Sequence, residues 1–419
     1  MLGLEEASER ILGALRPTGR EVVPLAESAG RVLAVDVVAP VALPPWDNSA
    51  MDGYAVQGKD VAHATSSHPV SLRVIEAVPA GGFPFRTLGA GEATRIMTGA
   101  PIPEGADCVV RIEDTDGGES VVEVRDGRDA GRNVRSRGED VREGDVVVRA
   151  GARIAPAGVA MLAAVGQATV PVGRAPRVAI FGSGDELVPV ERFAEVQEGR
   201  RIVASNGYAL AAIVRAAGGI PLELGIAPDD RQAIEQLFET AAARADLIVT
   251  SAGVSVGAHD HSRAVVEELG AVDFWRIAAR PGSQLAFGQV RGVPWLGLPG
   301  NPVSAIITGE LFLRPALLRM QGARAVHRAP IAATLDKAVA RASGMTQLLR
   351  ARLAREKSAW RATLTGAQSS GRIASIAEAD ALLVIAPGSG ALAANTPLAA
   401  LPLGGEGPTL EKLTTSLDR

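Results

Sequence analysis

Apolar residues recur every three or four positions in "LEEASERILGAL" (4–15), placing Leu4, Ala7, Ile11, Leu12 and Leu15 on one face of a predicted helix. Pro17 ends it, because proline lacks the amide a helix needs. Residues 18–43 read as short extended pieces. The period then falls to two. "SLRVIEAV", "DCVVRIED" and "SVVEVRD" alternate apolar and polar positions between turn residues, which predicts a β domain over 45–141. "GDVVVRAGARI" and the Ala-rich helical stretch "APAGVAMLAAVG" follow. They read as the resumption of an N-terminal mixed domain, 1–44 and 142–176, into which 45–141 is inserted. From 177 to 325 apolar strands alternate with helical stretches: "RVAIFGSGDEL", a helix over 206–217, "IPLELGIAPDD", a helix over 231–244, "ADLIVTSAGVSVG", a helix over 263–269 and "PWLGLPGNPVSA". That alternation predicts a parallel α/β sheet. "WRATLTG" and "ALLVIAP" return to strand patterning and predict a small C-terminal β domain over 326–405. The expected fold class is multidomain α/β plus β.

A chain of 419 residues exceeds a single core, which fits several domains. The hydrophobic fraction is 47% and the aromatic fraction only 3%, so the cores are built from Ala, Val, Leu and Ile. A net charge of −4 argues against nucleic acid and anionic membrane as partners. Cys108 is the only cysteine, which excludes an intrachain disulfide and a Cys-rich metal site. No apolar run approaches the roughly 18 residues of a membrane span, and no charged-then-apolar leader opens the chain. A cytoplasmic protein is expected.

In an open parallel sheet, ligands sit beyond the carboxyl ends of the strands. Three predicted strand ends carry similar loops: "GSGDEL" (182–187), "SAGVSVG" (251–257) and "GLPGNPVSA" (297–305). Glycines let backbone N–H groups approach an anion, and the following helix N-terminus adds a favourable dipole. Gly/Ser-rich turns are common in α/β folds, but three at one edge point to an anion or phosphate site. Ser251, Gly253, Ser255, Gly257, Pro299, Asn301 and Ser304 are the candidate contacts. Acids gather there too: Glu186 beside Asp185, Asp229 beside Asp230, and Asp260. Carboxylates near a phosphate suit a shared divalent cation, for which Glu186 and Asp260 are the candidates. Asp230 serves equally well as a helix N-cap. Arg276 and Arg280 lie four residues apart in "FWRIAARPGSQLAFG" (274–288) and suit an oxyanion or, alternatively, a solvated strand end. "PPWDNSAMDGYAV" (44–56) crowds small polar groups into one stretch, either a surface turn or a loop presented to a ligand.

Six motifs in order resemble the molybdopterin molybdenumtransferase family, which includes the C-terminal domain of gephyrin: "DNSAMDGYAV" (47–56), "MTGAPIPEGAD" (97–107), "RSRGED" (135–140), "SGDEL" (183–187), "GVSVG" (253–257) and "LPGNPVSA" (298–305). The resemblance covers nearly the whole chain and implies four domains, the third similar to molybdopterin adenylyltransferase. It implies an enzyme that inserts molybdate into adenylylated molybdopterin, cleaves the adenylyl pyrophosphate with Mg²⁺, and releases AMP and molybdenum cofactor. A homodimer with a composite site is implied, and molybdopterin adenylyltransferase is an expected partner. Carried over by motif, Asp52, Thr98, Asp140, Asp229 and Arg280 are catalytic candidates and Glu186 and Asp260 the metal ligands. Ser304 falls at a molybdate position, with Arg276 beside the site and Arg350 and Ser370 as further oxyanion contacts.

The chain also departs from the family. "RPGSQ" (280–284) stands where KPGKP is usual, so Ser283 removes a cation. Arg276 stands where lysine is common, and Ala252 replaces a glycine in "SAGVSVG". These differences keep open a paralogue that prefers another oxyanion, such as tungstate, and a non-catalytic dimeric scaffold.

Overall fold

The computed structural model describes residues 1–252, 261–342, 344–357, 359–405 and 407–417. Gly253, Ser255, Gly257 and Asp260 lie outside them. The chain packs as two units, one of residues 36–148 with 161–167, the other of 1–35, 149–160 and 168–419.

The larger unit is centred on a six-stranded sheet: β1 (Arg177–Ser183), β2 (Ile220–Ala227), β3 (Leu247–Ser251), β4 (Gly270–Phe274), β5 (Ala286–Val290) and β6 (Val293–Leu298), in the order β2-β1-β3-β6-β5-β4. β1 is parallel to both β2 and β3, and β6 is parallel to β3, while β5 and β4 complete the edge antiparallel. Helices α1 (Ser205–Ala216), α2 (Arg231–Arg244) and α3 (His261–Leu269) connect the first strands, and α4 (Pro302–Thr308) follows β6. Both faces of the sheet are buried, and the side chains alternate between them as a pleat requires. Val178 and Ile180 of β1 and Leu247 and Val249 of β3 enter one core cluster. Ala179, Phe181, Ile248 and Trp295 enter the other. The N-terminal helix (Leu4–Ala14) sends Leu4, Ala7 and Ile11 into the first cluster, with Leu15 just beyond it, as its periodicity predicts.

Five further strands close into a small barrel: β7 (Ile331–Leu335), β8 (Thr346–Glu356), β9 (Ala359–Leu364), β10 (Ala381–Ile385) and β11 (Pro397–Pro402). The ring runs β8-β9-β7-β11-β10 and returns to β8, which removes free edges. Leu349, Leu383 and Ile385 fill its interior. Their neighbours Leu348, Leu382 and Val384 point outward into the core of the α/β sheet, so period-two alternation welds the barrel to it. Each such buried side chain contributes about 1.5–3 kcal/mol. The short strand Ala279–Arg280 adds in parallel to β8.

The smaller unit holds a five-stranded sheet in the order Cys108–Arg111, Gly53–Val56, Glu92–Ile96, Val70–Val78, Val121–Val124. Its core includes Tyr54, Val56, Leu72, Cys108 and Val122. Among the described residues, no helix is long and apolar enough to cross a membrane.

Candidate active site

β1 has β2 on one side and β3 on the other, so the chain reverses direction across the sheet between β1 and β3. The crevice at such a switch point is where α/β sheets bind ligands. A cavity of 460 Å³ opens there. The ends of three strands line it: Gly182 and Glu186 after β1, Ser251 and Ala252 after β3, and Gly300 and Asn301 after β6. Ile180, Leu187, Ile202 and Tyr208 add apolar lining, Ile180 buried and Ile202 and Tyr208 exposed. The three Gly/Ser loops singled out in the sequence therefore meet at one place, as far as they are described.

The β1 loop is pinned. Asp185 and Asp229 exchange backbone-to-carboxylate bonds, the Asp185 amide donating to Asp229 Oδ2 (3.4 Å) and the Asp229 amide to Asp185 Oδ1 (3.2 Å). Arg201 donates to the Asp185 carbonyl. A Cβ on Gly184, whose φ is 144°, would stand 2.5 Å from Glu186 Oε2, so glycine here leaves room for the Glu186 carboxylate. Asp230 is a helix cap, its Oδ2 accepting from the Ala233 amide at 2.8 Å. Asn301 stands at the N-cap of α4 and Pro302 at its first turn, but the Asn301 side chain makes no capping bond. The Val303 amide donates instead to the Ser370 carbonyl at 3.2 Å, which ties α4 to the loop after β9.

That loop helps to form a second cavity, of 820 Å³, lined by Arg280, Ser283, Pro299, Ser304, Gln368 and Ser370 among others. Gln284 and Asn301 line both cavities, so the two adjoin there. Ser304 is 4% exposed, and Arg280 is exposed at the cavity wall. Arg276 is exposed and lines neither cavity, contrary to its assignment beside the site.

Arg350 is also corrected. It is fully buried and lines neither cavity. Its guanidinium donates to the carbonyls of Gln368 (3.1 Å), Ala367 (3.4 Å) and Ser369 (3.0 Å) and to Ser375 Oγ (3.1 Å). Desolvation by burial lowers its pKa. The alternating pattern of β8 puts position 350 on the same outward face as Leu348, toward the α/β sheet, and the loop carbonyls satisfy the charge in place of an anion. Arg350 thus holds the loop that presents Ser370.

In the smaller unit, three of the motif segments knit together. Asn48–Ser49 pairs with Val134–Arg135, the Ser49 amide donates to the Ala100 carbonyl (3.0 Å), and the Arg137 amide donates to Asp47 Oδ1 (2.6 Å). Asp52 Oδ1 accepts from both the backbone amide and the hydroxyl of Thr98, each at 2.7 Å. Those bonds, the amide's first, hold the Asp52 carboxyl below its ordinary pKa and keep it anionic. Asp140 lines a separate hollow of 510 Å³ with Pro44, Asn48, Arg135 and Glu139. Asp52 and Thr98 are thus brought together, as a loop presented to a ligand requires.

Among the described residues no three His, Cys, Asp or Glu side chains cluster to hold a metal. Glu186 lines the 460 Å³ cavity, and its carboxylate is a hard-oxygen donor of the kind a divalent cation takes. Asn206, in the sequence only the first residue of a predicted helix, lines the cavity, and its carboxamide bonds both Ser251 Oγ and the Gly300 carbonyl. Nothing in local sequence distinguishes these roles.

A switch-point crevice with Gly/Ser loops, a carboxylate at its edge and an adjoining cavity that carries Arg280 is the arrangement of an α/β ligand-binding protein whose donors suit an anion. Family models agree in more detail: MoeA N-terminal region (domain I and II) over residues 2–166, probable molybdopterin binding domain over 179–319, and MoeA C-terminal region (domain IV) over 332–403. Molybdopterin molybdenumtransferase of Bacillus subtilis (strain 168) is 35% identical over 391 residues, covering 92% of this chain and 90% of that protein. Molybdopterin molybdenumtransferase 2 of Mycobacterium tuberculosis (strain H37Rv) is 37% identical over 360 residues, covering 84% and 87%. The crystal structure of the molybdopterin biosynthesis moeA protein from Pyrococcus horikoshii OT3 superposes with a TM-score of 0.83 at 29% identity, covering 96% of this chain and 100% of that one. The chain belongs to the molybdopterin molybdenumtransferase family, transferases of molybdenum cofactor biosynthesis.

Proposed function

We propose that this chain inserts molybdate into adenylylated molybdopterin, cleaving the adenylyl pyrophosphate and releasing AMP and molybdenum cofactor. The observation that supports this most is that the two cavities adjoin, with Gln284 and Asn301 in the walls of both. One offers backbone N–H groups and a carboxylate to a pyrophosphate. The other offers Arg280 and the hydroxyls of Ser304 and Ser370 to a tetrahedral dianion. Catalysis of this kind rests on positioning and electrostatics, with no covalent enzyme intermediate. Glu186 and Asp260 would hold Mg²⁺, whose charge, when bound, would offset that of the pyrophosphate. The working species would be a homodimer in which Asp52, Thr98 and Asp140 of one copy complete the cleft of the other, and molybdopterin adenylyltransferase would supply the substrate.

Ser283 favours a second reading that changes only the oxyanion, since a serine lines the cavity where the family has a lysine. Tungstate would then compete well. AMP release from adenylylated molybdopterin with Mg²⁺, measured with molybdate, with tungstate and with neither, tests both. Release that ignores the oxyanion would leave only a pyrophosphatase.

A further inference from the structure

We infer that Asn206 is a positioning residue that turns the Ser251 hydroxyl into a directed donor for the substrate's pyrophosphate; the inference rests on the function proposed above. Asn206 Nδ2 lies 2.7 Å from Ser251 Oγ and 2.8 Å from the Gly300 carbonyl oxygen. A carbonyl only accepts, so the nitrogen of the carboxamide must face it. That fixes the amide's orientation, and its second N–H is donated to Ser251. Ser251 Oγ is therefore an acceptor in this bond, and its own hydrogen finds no acceptor among the described residues. Ser251 is 5% exposed, at the end of β3, and its exposed edge lines the 460 Å³ cavity. A hydroxyl that accepts from an amide is polarised toward donating, and Ser251 lines the cavity.

The same carboxamide joins the loop after β3 to the loop after β6, 45 and 94 residues away in sequence. Asn206 thereby sets the spacing of two anion-binding loops from the first turn of α1. Its backbone is not the cap of that helix, since Ala204 holds the N-cap without a side-chain bond. The side chain is left to tertiary work.

A double-mutant cycle tests this on the full-length protein. Asn206→Ala and Ser251→Ala should each lower kcat/KM for adenylylated molybdopterin by roughly 10- to 100-fold, the effect of one hydrogen bond to a charged oxygen. The KM for molybdate should stay within about twofold, and the double variant should be no worse than Ser251→Ala alone. Asn206→Asp, isosteric but lacking the donor, should show the same loss and guards against misfolding of the alanine variant. Multiplying losses, or an Asn206→Ala enzyme with wild-type kinetics, would overturn the inference. Wild-type protein without molybdate-dependent AMP release would instead overturn the function on which it rests.

Discussion

Ala252 stands at φ 75°, in the left-handed region where an L-residue costs about 1–2 kcal/mol. A Cβ added to Gly300 would lie 3.3 Å from the Ala252 Cβ and 3.6 Å from its Cα. The first distance is tight and the second ordinary. Neither backbone retreats easily, because the Ala252 amide donates to the Leu298 carbonyl (3.2 Å) and the Gly300 carbonyl accepts from Asn206 (2.8 Å). Gly300→Ala should therefore cost about 1–2 kcal/mol of overpacking. Ala252→Gly relieves the left-handed cost but adds about 0.5–1 kcal/mol of unfolded-chain freedom, for a net gain of about 0.5 kcal/mol. Placed on Ala252→Gly, the Gly300→Ala change meets only the Cα, so its cost should fall below about 0.5 kcal/mol. Urea unfolding followed by tryptophan fluorescence reads this region, since Trp295 is fully buried in the sheet and Trp275 packs on it at 5.6 Å. A Gly300→Ala penalty that is equal in both backgrounds would refute the contact argument, and a destabilising Ala252→Gly would refute the backbone argument.

Two further predictions follow from the site and the core. Ser283→Lys restores a cation beside Arg280 in the 820 Å³ cavity and should tighten molybdate binding several-fold, about 1 kcal/mol at a partly exposed site; unchanged affinity by calorimetry would mean that Ser283 is irrelevant to the oxyanion. His327 is 2% exposed, bonds Ser8 Oγ at 3.1 Å, and is pushed down to about 4 by burial and then by the Arg314 charge. The unfolded chain takes up that proton from pH 6.5 downward and the folded protein only near 4, so stability is full above 6.5 and falls as pH drops through this window. The loss approaches roughly 3 kcal/mol by pH 4, and His327→Gln should remove that part of the acid sensitivity in denaturant titrations at pH 4.5 and 7.

The local elements were legible because they depend on local pattern. The helix predicted over 231–244 is α2 residue for residue, and the strand in "RVAIFGSGDEL" is β1. The helix predicted from Asn206 begins at Ser205, and the one predicted from Arg263 begins at His261. Pairing partners were not legible. Val70–Val78 runs parallel to Glu92–Ile96, and β8 pairs with both β9 and β10 to close the barrel, neither of which an alternating pattern encodes. The site follows the same division. Gly/Ser loops and acids announce a strand edge, so Glu186, Ser251 and Asn301 could be read to one edge, and they line one cavity. Arg350 was given an oxyanion role by the resemblance alone, while its partners are loop carbonyls 17 to 19 residues away, which no local pattern encodes. Asn206 was hidden because its roles lie 45 and 94 residues off, beyond any local signal.

Reconstitution of an apo-molybdoenzyme tests the central claim most directly. Adenylylated molybdopterin, Mg²⁺, molybdate and this protein are incubated, and recovered molybdoenzyme activity is read beside AMP. The account predicts that activity and AMP rise together, both require molybdate, and both are lost in Glu186→Gln. AMP released without molybdate, or molybdoenzyme activity that does not depend on this protein, would contradict it.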